Sequence, residues 1–535
     1  MSTTTEAERL KAEGNALFVK KDFAGAYQKF TEALQRDDKN SILYCNRAAC
    51  SLGLNRYLEA YIDAEKATEL SSTYAKAWSR LAAASAGLGK PDDAISHWKR
   101  ALAVLPVENL SPAEQKQKEH YAAELKTAIA RRAASDRHKF TQVIVKDEDS
   151  PWNRAVPIIN GLPTPGWNSS AWIIVSAREC WAYGCEAMNH LRLFPTPTGT
   201  GCYGVKGGIE AFSNALLQDP RTFCIADREF FEKYNRQMIF EITETRAWSN
   251  GSSRTVMQDA PQRLREEGWD ATRPALAITV RGWIMRAFIQ SNLTPDAEAA
   301  LDFYTSAIEV LSWGIDLWRN VPNSEKGSIF QASFLRGVKC LRLDAMLQAY
   351  TAKPILQTQS FLDEMSRGAQ DLINDLASAP MEPPLDTGLY GHYLSFARYP
   401  LAQAHGLIGF CRRKTAMKLP KNSAESLAGL KAAAESYAQA AEYIPVDDEK
   451  HVSYLHYSFE CLLEVGSPAS QFAAILDRIH EAIPIMKRIW QFSADACPRD
   501  ARLKEDMRMR DRLLARLQNG TLQADAVIGR DVLQQ

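Results

Sequence analysis

The sequence lacks a long hydrophobic run. Its longest near-continuous one, AWIIVSA from Ala171, is far shorter than the roughly 20 apolar residues that a membrane-spanning helix requires. The first residues, MSTTTEAERL, contain neither a basic nor an apolar stretch, so we expect no secretion signal. These absences predict a cytoplasmic protein, with the nucleus as an alternative, and no membrane span.

The protein also lacks a net charge, because 64 lysines and arginines are balanced by 64 aspartates and glutamates. That balance argues against a basic surface spread over the molecule, so no nucleic-acid partner is predicted, although a local basic pocket is compatible with it. An apolar content of 46% is ordinary for a globular protein. The 535 residues suffice for two or more domains, or for one long array of repeats.

Motifs for metal binding are scarce. The ten cysteines include no CxxC pair, and the spacing of Cys180 and Cys185 fits no common zinc module. His451 and His456 are not part of an HExxH motif, which favours a structural or exposed role for both. The sequence therefore predicts no metal site, no cofactor and no catalytic residue, with an active site hidden in residues 167–535 as an alternative.

One glycine pattern has the spacing of a nucleotide-binding loop. Gly199, Gly201 and Gly204 in TGTGCYG have the GxGxxG spacing of a dinucleotide-binding loop, which must follow a strand. The preceding LFPTPT contains two prolines, and proline argues against a strand. We therefore predict a flexible loop that opens a helix near Ile209, and no nucleotide site.

What the sequence does contain is an internal repeat of about 34 residues. Three blocks, 7–40, 41–74 and 75–108, align without gaps. Small residues recur at the eighth, twentieth and twenty-seventh positions: Gly14, Ala48, Ala82; Ala26, Ala60, Ala94; Ala33, Ala67, Ala101. Large residues fill the fourth position: Leu10, Tyr44, Trp78. This is the pattern of the tetratricopeptide repeat (TPR), a helix–turn–helix unit that stacks into a superhelix.

The pattern predicts how the rest of the protein is divided. Residues 111–134 begin with Ser111, Pro112 and Glu114, a capping box typical of a final capping helix, so we predict a TPR domain over 7–134. Residues 135–166 are charged and then proline-rich, and we predict a linker there.

Helical periodicity dominates the region after the linker. Two stretches echo the second helix of the repeat: Ala300, Tyr304 and Ala307; and Ala433, Tyr437, Ala440 and Pro445. We therefore predict an all-α protein, with a three-repeat TPR superhelix and its capping helix followed by a large degenerate TPR-like helical array at 167–535. A non-repetitive helical domain is the alternative for that region.

The first helices of the repeats carry polar residues that packing does not use. Because first helices line the groove of such an array, these side chains are expected to converge: Lys11, Asn15, Asn46, Lys76 and Arg80. Three cations and two amides, with no carboxylate in the set, favour an anion with several acceptor oxygens. The C-terminus of a polypeptide that ends in Asp is such a ligand.

The segments LKAEGN, YCNRAA and YAKAWSR resemble the dicarboxylate-clamp TPR domains of co-chaperones, such as the heat-shock organising protein and protein phosphatase 5. The resemblance implies that Lys11, Asn15 and Asn46 hold the terminal carboxylate, Lys76 the Asp side chain, and Arg80 upstream groups. The implied ligand is the Glu-Glu-Val-Asp tail of heat-shock protein 70 or 90. Phe18 and Ala49 are candidates for the pocket that receives the Val.

This interpretation predicts a cytosolic adaptor without enzymatic activity, in which the C-terminal region binds a second, unidentified protein. One alternative is a scaffold or receptor that recognises another acidic C-terminus. The other is an enzyme with its site in 167–535 and the TPR domain as a targeting module.

Overall fold

The computed structural model describes residues 3–106, 108, 110–137, 147–163, 166–196, 199–225, 229–249, 251–293 and 297–534. Its N-terminal helices are α1 Thr3–Val19, α2 Phe23–Leu34, α3 Ser41–Gly53, α4 Tyr57–Leu70, α5 Ala75–Gly87, α6 Pro91–Ala103 and α7 Pro112–Arg137. These are the three predicted helix pairs and the predicted capping helix. The predicted all-α fold with an N-terminal TPR superhelix is confirmed.

The remaining elements are, in sequence order, α8 Pro151–Ile159, α9 Ser170–His190, β1 Arg192–Thr196, β2 Gly199–Tyr203, α10 Gly208–Gln218, α11 Phe230–Thr245, α12 Ser253–Glu267, α13 Trp269–Leu293, α14 Ala297–Leu317, α15 Asn323–Lys326 and α16 Ala332–Ala352. They continue with α17 Gln359–Ser378, α18 Tyr390–Tyr393, α19 Tyr399–Ala416, α20 Ala424–Tyr443, α21 Glu449–Val465, β3 Ser467–Pro468, α22 Ala469–Trp490, α23 Ala496–Gln518, β4 Val527–Ile528 and α24 Arg530–Gln534.

The repeat positions form the contacts within each helix pair. Ala26, Ala48 and Ala82 are fully buried. A Cβ atom added at Gly14 would lie 2.9 Å from the ring of Phe30, so only a glycine lets α1 approach α2 this closely. Small residues on one helix and aromatic residues on its neighbour thus set the spacing of the pair.

The helix ends follow the sequence signals. The Asn40 side chain accepts hydrogen bonds from the Ile42 and Leu43 amides at the start of α3, at 3.1 and 3.4 Å. At the start of α7, the Ser111 amide donates to Glu114 Oε2 at 2.9 Å, and the Glu114 amide donates to Ser111 Oγ at 3.3 Å. The predicted capping box is therefore present.

The protein forms two compact units. Unit 1 comprises Met1–Thr141 and Ile242–Gly327, and unit 2 comprises Gln142–Glu241 and Ser328–Gln535. This division is not the same as the predicted domain limits, which stay a prediction. The difference arises because α12, α13 and α14 belong to the unit that contains the TPR helices.

Part of the predicted linker, residues 135–166, forms a helix that is packed within unit 2. Within 135–166, helix α8 begins at Pro151 and packs against α9 in unit 2, where Ala155 is fully buried. Trp152 and Ile158 are partly buried against the same core. Residues 138–146 and 164–165 of the predicted linker lie outside the described residues.

The glycine pattern lies in an antiparallel hairpin, which corrects the prediction that no strand precedes it. Strands β1 and β2 pair with each other, and Pro195 lies opposite Thr200. A two-stranded ribbon has two free edges, so proline is tolerated there although it has no amide hydrogen to donate. Helix α10 starts at Gly208, next to the predicted Ile209. The hairpin is not the parallel strand–loop–helix unit that a dinucleotide requires.

The repeat-like positions of the second half are packing positions. Ala300, Tyr304 and Ala307 on α14 are at most 1% exposed. In unit 2, Tyr437 on α20 is buried and lies against Gly409 on α19, where an added Cβ would be 3.1 Å from its ring. Helices α19, α20 and α21 pack in succession, as expected of a degenerate helical array.

Candidate functional site

The predicted site residues lie on the first helices of the three repeats. Helix α1 carries Lys11, Asn15 and Phe18; helix α3 carries Asn46 and Ala49; and helix α5 carries Lys76 and Arg80. The amide groups of the first two helices meet directly, since Asn46 Nδ2 donates to Asn15 Oδ1 at 3.2 Å. The structure therefore brings together the two amides that the sequence placed in one pocket.

Helix α5 separates its apolar and cationic positions. Ala77, Leu81 and Ala82 are buried, while Lys76 is exposed and Arg80 is half-buried. One face of the helix thus packs in the repeat stack and leaves the two cations, one turn apart, on a solvent-accessible face. Within the described part of the protein, neither cation forms an ion pair.

The two cations of α5 influence a thiol on α3. Burial raises the pKa of Cys45. The positive charges of Arg80 and Lys76 and a hydrogen bond from Tyr74 act to lower it. Cys45 directly precedes Asn46 in the sequence, so the charges of α5 reach the part of α3 that carries the site amide.

Lys11 does not fit the expectation of a site without carboxylates. Its Nζ is 2.6 Å from Glu8 Oε2, one turn earlier on α1. The Glu8 side chain is 56% exposed, so this ion pair is open to solvent and weak. Glu8 was absent from the predicted site, although its spacing of three residues from Lys11 indicates such a pair.

The two candidate pocket residues are both half-buried. The Phe18 ring packs edge-on against Phe23, with ring centroids 5.3 Å apart, and contributes to the core of the first repeat. Ala49 is half-buried on α3, one turn after Asn46. Both residues therefore leave part of their surface free.

A buried ion-pair network fixes the helix that carries Asn46. Arg47, the next residue, donates from Nε and Nη2 to the two carboxylate oxygens of Asp63 on α4, both at 2.8 Å. Its Nη1 donates to Thr31 Oγ1 on α2 at 3.2 Å. Arg254 on α12 donates to the same Asp63 at 2.9 Å. This network was not predicted, because nothing in the repeat pattern indicates a partner about 190 residues away.

The two histidines singled out from the sequence have structural surroundings. His451 is buried, with Nδ1 3.0 Å from the carbonyl oxygen of Ala441 and 3.2 Å from that of Ile444. His456 is buried, with Nδ1 2.7 Å from Asp506 Oδ2. Each histidine thus links α21 to a neighbouring segment.

The N-terminal region matches TPR co-chaperones. It is 49% identical over 96 residues to a heat shock protein sti1 homolog of Schizosaccharomyces pombe, a match that covers 18% of this chain and 16% of that protein. It is 36% identical over 124 residues to small glutamine-rich tetratricopeptide repeat-containing protein 2 of Saccharomyces cerevisiae, covering 23% of this chain and 35% of that protein. The match thus spans only a minor part of the length of these relatives.

Among solved structures, the first TPR domain of Spaghetti (RPAP3), bound to the heat-shock protein 90 peptide SRMEEVD, is 27% identical. That match covers 23% of this chain and 94% of the domain, with a TM-score of 0.20. No protein-family model matches the sequence. The C-terminal region stays unrecognised.

The helices of the described ranges fall short of the requirements for crossing a membrane. None of the helices there combines the length and the apolar character needed to cross a lipid bilayer.

Proposed function

We propose that the TPR domain at residues 7–134 binds the acidic C-terminal tail of heat-shock protein 70 or 90, Glu-Glu-Val-Asp, and that the protein is a cytosolic co-chaperone adaptor. In this proposal Lys11, Asn15 and Asn46 hold the terminal carboxylate, and Lys76 holds the Asp side chain. Arg80 binds groups further upstream in the peptide.

The observation that carries the proposal is the pair of cations on α5. Lys76 and Arg80 project from a helix that is otherwise packed, and no described residue forms an ion pair with either. A cation that is kept on a groove helix without an acidic partner is suited to an anion from another polypeptide. The similarity of the N-terminal region to TPR co-chaperones supports a co-chaperone role.

Phe18 and Ala49 are proposed to accept the Val side chain. Both are half-buried and lie one turn beyond Asn15 and Asn46, the two amides that share a hydrogen bond. An apolar surface beside the carboxylate site suits the residue that precedes the terminal Asp. Replacing that Val by Ser in the peptide is expected to weaken binding.

The mechanism proposed is tethering without catalysis. The clamp is partly solvated, so we expect a micromolar affinity that falls as ionic strength rises. A second protein, bound by the region at 167–535, would then be held near the chaperone at a high effective concentration.

The test is the binding of a fluorescently labelled peptide ending in Glu-Glu-Val-Asp to the full-length protein, followed by anisotropy. Lys76→Ala and Arg80→Ala are each expected to weaken binding about tenfold or more, because each removes a charge-assisted hydrogen bond. Lys66→Ala is the matched control, since Lys66 is an exposed lysine of α4 that pairs with Glu69. No binding by the wild type, or equal binding by all four proteins, would refute the proposal.

A scaffold that recognises another acidic C-terminus is separated by competition. Unlabelled peptides that differ from Glu-Glu-Val-Asp in one of the last four residues are added to the labelled complex. The heat-shock protein tail is expected to compete best. A different acidic tail that competes at a tenfold lower concentration would favour the alternative.

A further inference from the structure

Unit 2 contains a cavity that the proposed adaptor function does not use. Its volume is about 540 Å³, and it lies among helices α16, α19, α20 and α21. Cavities of roughly 300–1,000 Å³ are the usual size of ligand pockets in proteins.

The walls of this cavity are largely apolar and aromatic. Leu347 on α16, Leu407 and Phe410 on α19, and Tyr454 and Tyr457 on α21 line it. Tyr454 packs directly on the backbone of α19, because Gly406 leaves room for its ring; a Cβ atom at Gly406 would be 2.5 Å from it. Aromatic side chains therefore form part of the surface that a ligand in the cavity would contact.

One end of the cavity carries a carboxylate that has no cationic partner. Asp344 Oδ1 accepts a hydrogen bond from Gln403 Nε2 at 2.6 Å, and the same Gln403 nitrogen donates to the Cys340 carbonyl at 2.9 Å. Across the described ranges, Asp344 forms no ion pair, and no side chain or amide donates to its Oδ2. Burial raises the pKa of Asp344, while the charge of Lys450 and the hydrogen bond from Gln403 act to lower it.

We propose that this cavity binds a lysine or arginine side chain of a partner polypeptide, with the cationic group on Asp344 and the aliphatic stem against the aromatic walls. A cation would supply the ion pair that this half-buried carboxylate lacks. The tyrosine ring faces add a cation–π attraction, and the apolar walls cover the methylene groups that lysine and arginine carry.

The cations at the other end of the cavity do not oppose this assignment. Arg413 is paired with Glu460 at 2.8 Å, and Lys414 Nζ lies 5.6 Å from the centre of the Phe410 ring. Gln403 and Arg413 are about 15 Å apart along the axis of α19 at 1.5 Å per residue. At that separation Arg413 repels a cation bound at Asp344 less than the adjacent carboxylate attracts it, because the Coulomb energy falls with distance.

This inference goes beyond the proposed clamp and does not depend on it. The second partner would contribute a basic side chain, which the cavity of unit 2 binds. The TPR groove, in contrast, is proposed to bind an acidic tail. The two sites are tested separately, because Lys76→Ala disables the proposed clamp and leaves the cavity unchanged.

The probe is a synthetic positional-scanning library of nine-residue peptides with amidated C-termini, which removes the carboxylate that the proposed clamp requires. The full-length protein is expected to select Lys or Arg at one position, beside apolar residues. For a labelled peptide carrying the selected residues, Asp344→Asn is expected to weaken binding about tenfold or more. Replacing the basic residue of the peptide by Gln is expected to have the same effect.

Three variants accompany the measurement. Asp371→Asn, on the exposed face of α17, is the matched control and is expected to bind like the wild type. Lys76→Ala is expected to do the same. Leu347→Trp fills the cavity and is expected to abolish binding, which provides a second test if Asp344→Asn does not fold.

Selection of a basic residue that is lost in each cavity variant that folds supports the proposal. No basic preference, a preference for acidic residues, or a basic preference that persists in a folded form of either cavity variant would overturn it.

Discussion

Replacing Asp63 by Asn tests whether the buried ion-pair network holds the groove helices in place. Asp63 is 1% exposed and accepts hydrogen bonds from Arg47 at 2.8 Å and from Arg254 at 2.9 Å. Asn has nearly the same shape but no charge. The substitution therefore leaves two guanidinium groups without their shared counter-charge in a largely buried setting.

The expected loss of stability follows from that burial. Breaking a buried ion pair by neutralising one partner costs about 3–5 kcal/mol, because the remaining charge stays desolvated. For a unit of this size, each kcal/mol lowers the midpoint of thermal unfolding by roughly 2–4 °C. Asp63→Asn is therefore expected to lower the unfolding midpoint of unit 1 by about 6–20 °C.

The assay combines differential scanning calorimetry with hydrogen exchange measured by mass spectrometry. The calorimetric shift gives the magnitude, and exchange shows where protection is lost, which is expected in α3, α4 and α12. Asp38→Asn, an exposed position between α2 and α3, is the control. A shift no larger than that of the control, or exchange that increases only outside these three helices, would refute the reasoning.

Three further predictions concern unit 1. Burial raises the pKa of Asp302 to about 7 from an ordinary value of 3.8, so its contribution to stability is complete below pH 4 and is lost as the pH rises through 7. Unfolding by urea at pH 5 and pH 8 should show a smaller difference for Asp302→Asn than for the wild type. Gly87→Ala places a methyl group in steric overlap with Cδ1 of the Tyr57 ring. This overlap is expected to lower the free energy of unfolding by about 1–3 kcal/mol, measured by the same unfolding curves. Glu8→Gln frees Lys11 and is expected to tighten binding of the Glu-Glu-Val-Asp peptide about twofold, measured by anisotropy.

Each of these has a contrary outcome. An equal loss of stability from pH 5 to pH 8 in both proteins would show that Asp302 does not titrate as described. Unchanged unfolding of Gly87→Ala would show that the Tyr57 ring moves away without cost. Weaker peptide binding by Glu8→Gln would indicate that Glu8 orients Lys11 for the ligand instead of competing with it.

The sequence was sufficient for the features that depend on near neighbours. The spacing of Gly14, Ala48 and Ala82 indicated the helix pairs, because close packing of two helices requires a small residue at the contact. The capping box of Ser111 and Glu114 was likewise visible, since both partners lie within one helical turn.

Contacts between distant segments were not predictable from periodicity. Arg254 reaches Asp63, and the Leu58 amide donates to Asp302 at 2.9 Å, so residues from far along the sequence complete the surroundings of α4. A repeat pattern reports only the contacts that recur from one repeat to the next. The assignment of α12, α13 and α14 to the unit that contains the TPR helices therefore had no signal in the sequence.

The strand preceding Gly199 was missed for a different reason. The prolines of LFPTPT argue against a central strand, yet among the described residues β1 pairs with β2 alone. The rule against proline holds for strands with a neighbour on both sides. The carboxylate of Glu8 beside Lys11 lies outside the set of groove positions, one turn earlier on α1, so the repeat pattern does not indicate it.

Titration with two forms of one peptide tests the central proposal most directly. The peptide ends in Glu-Glu-Val-Asp, either with a free C-terminal carboxylate or with an amide, and binding to the full-length protein is measured by calorimetry. The free acid is expected to bind with micromolar affinity and the amide at least tenfold more weakly, because Lys11, Asn15 and Asn46 lose the terminal carboxylate. Equal affinity for both forms would contradict a clamp that holds the end of the peptide.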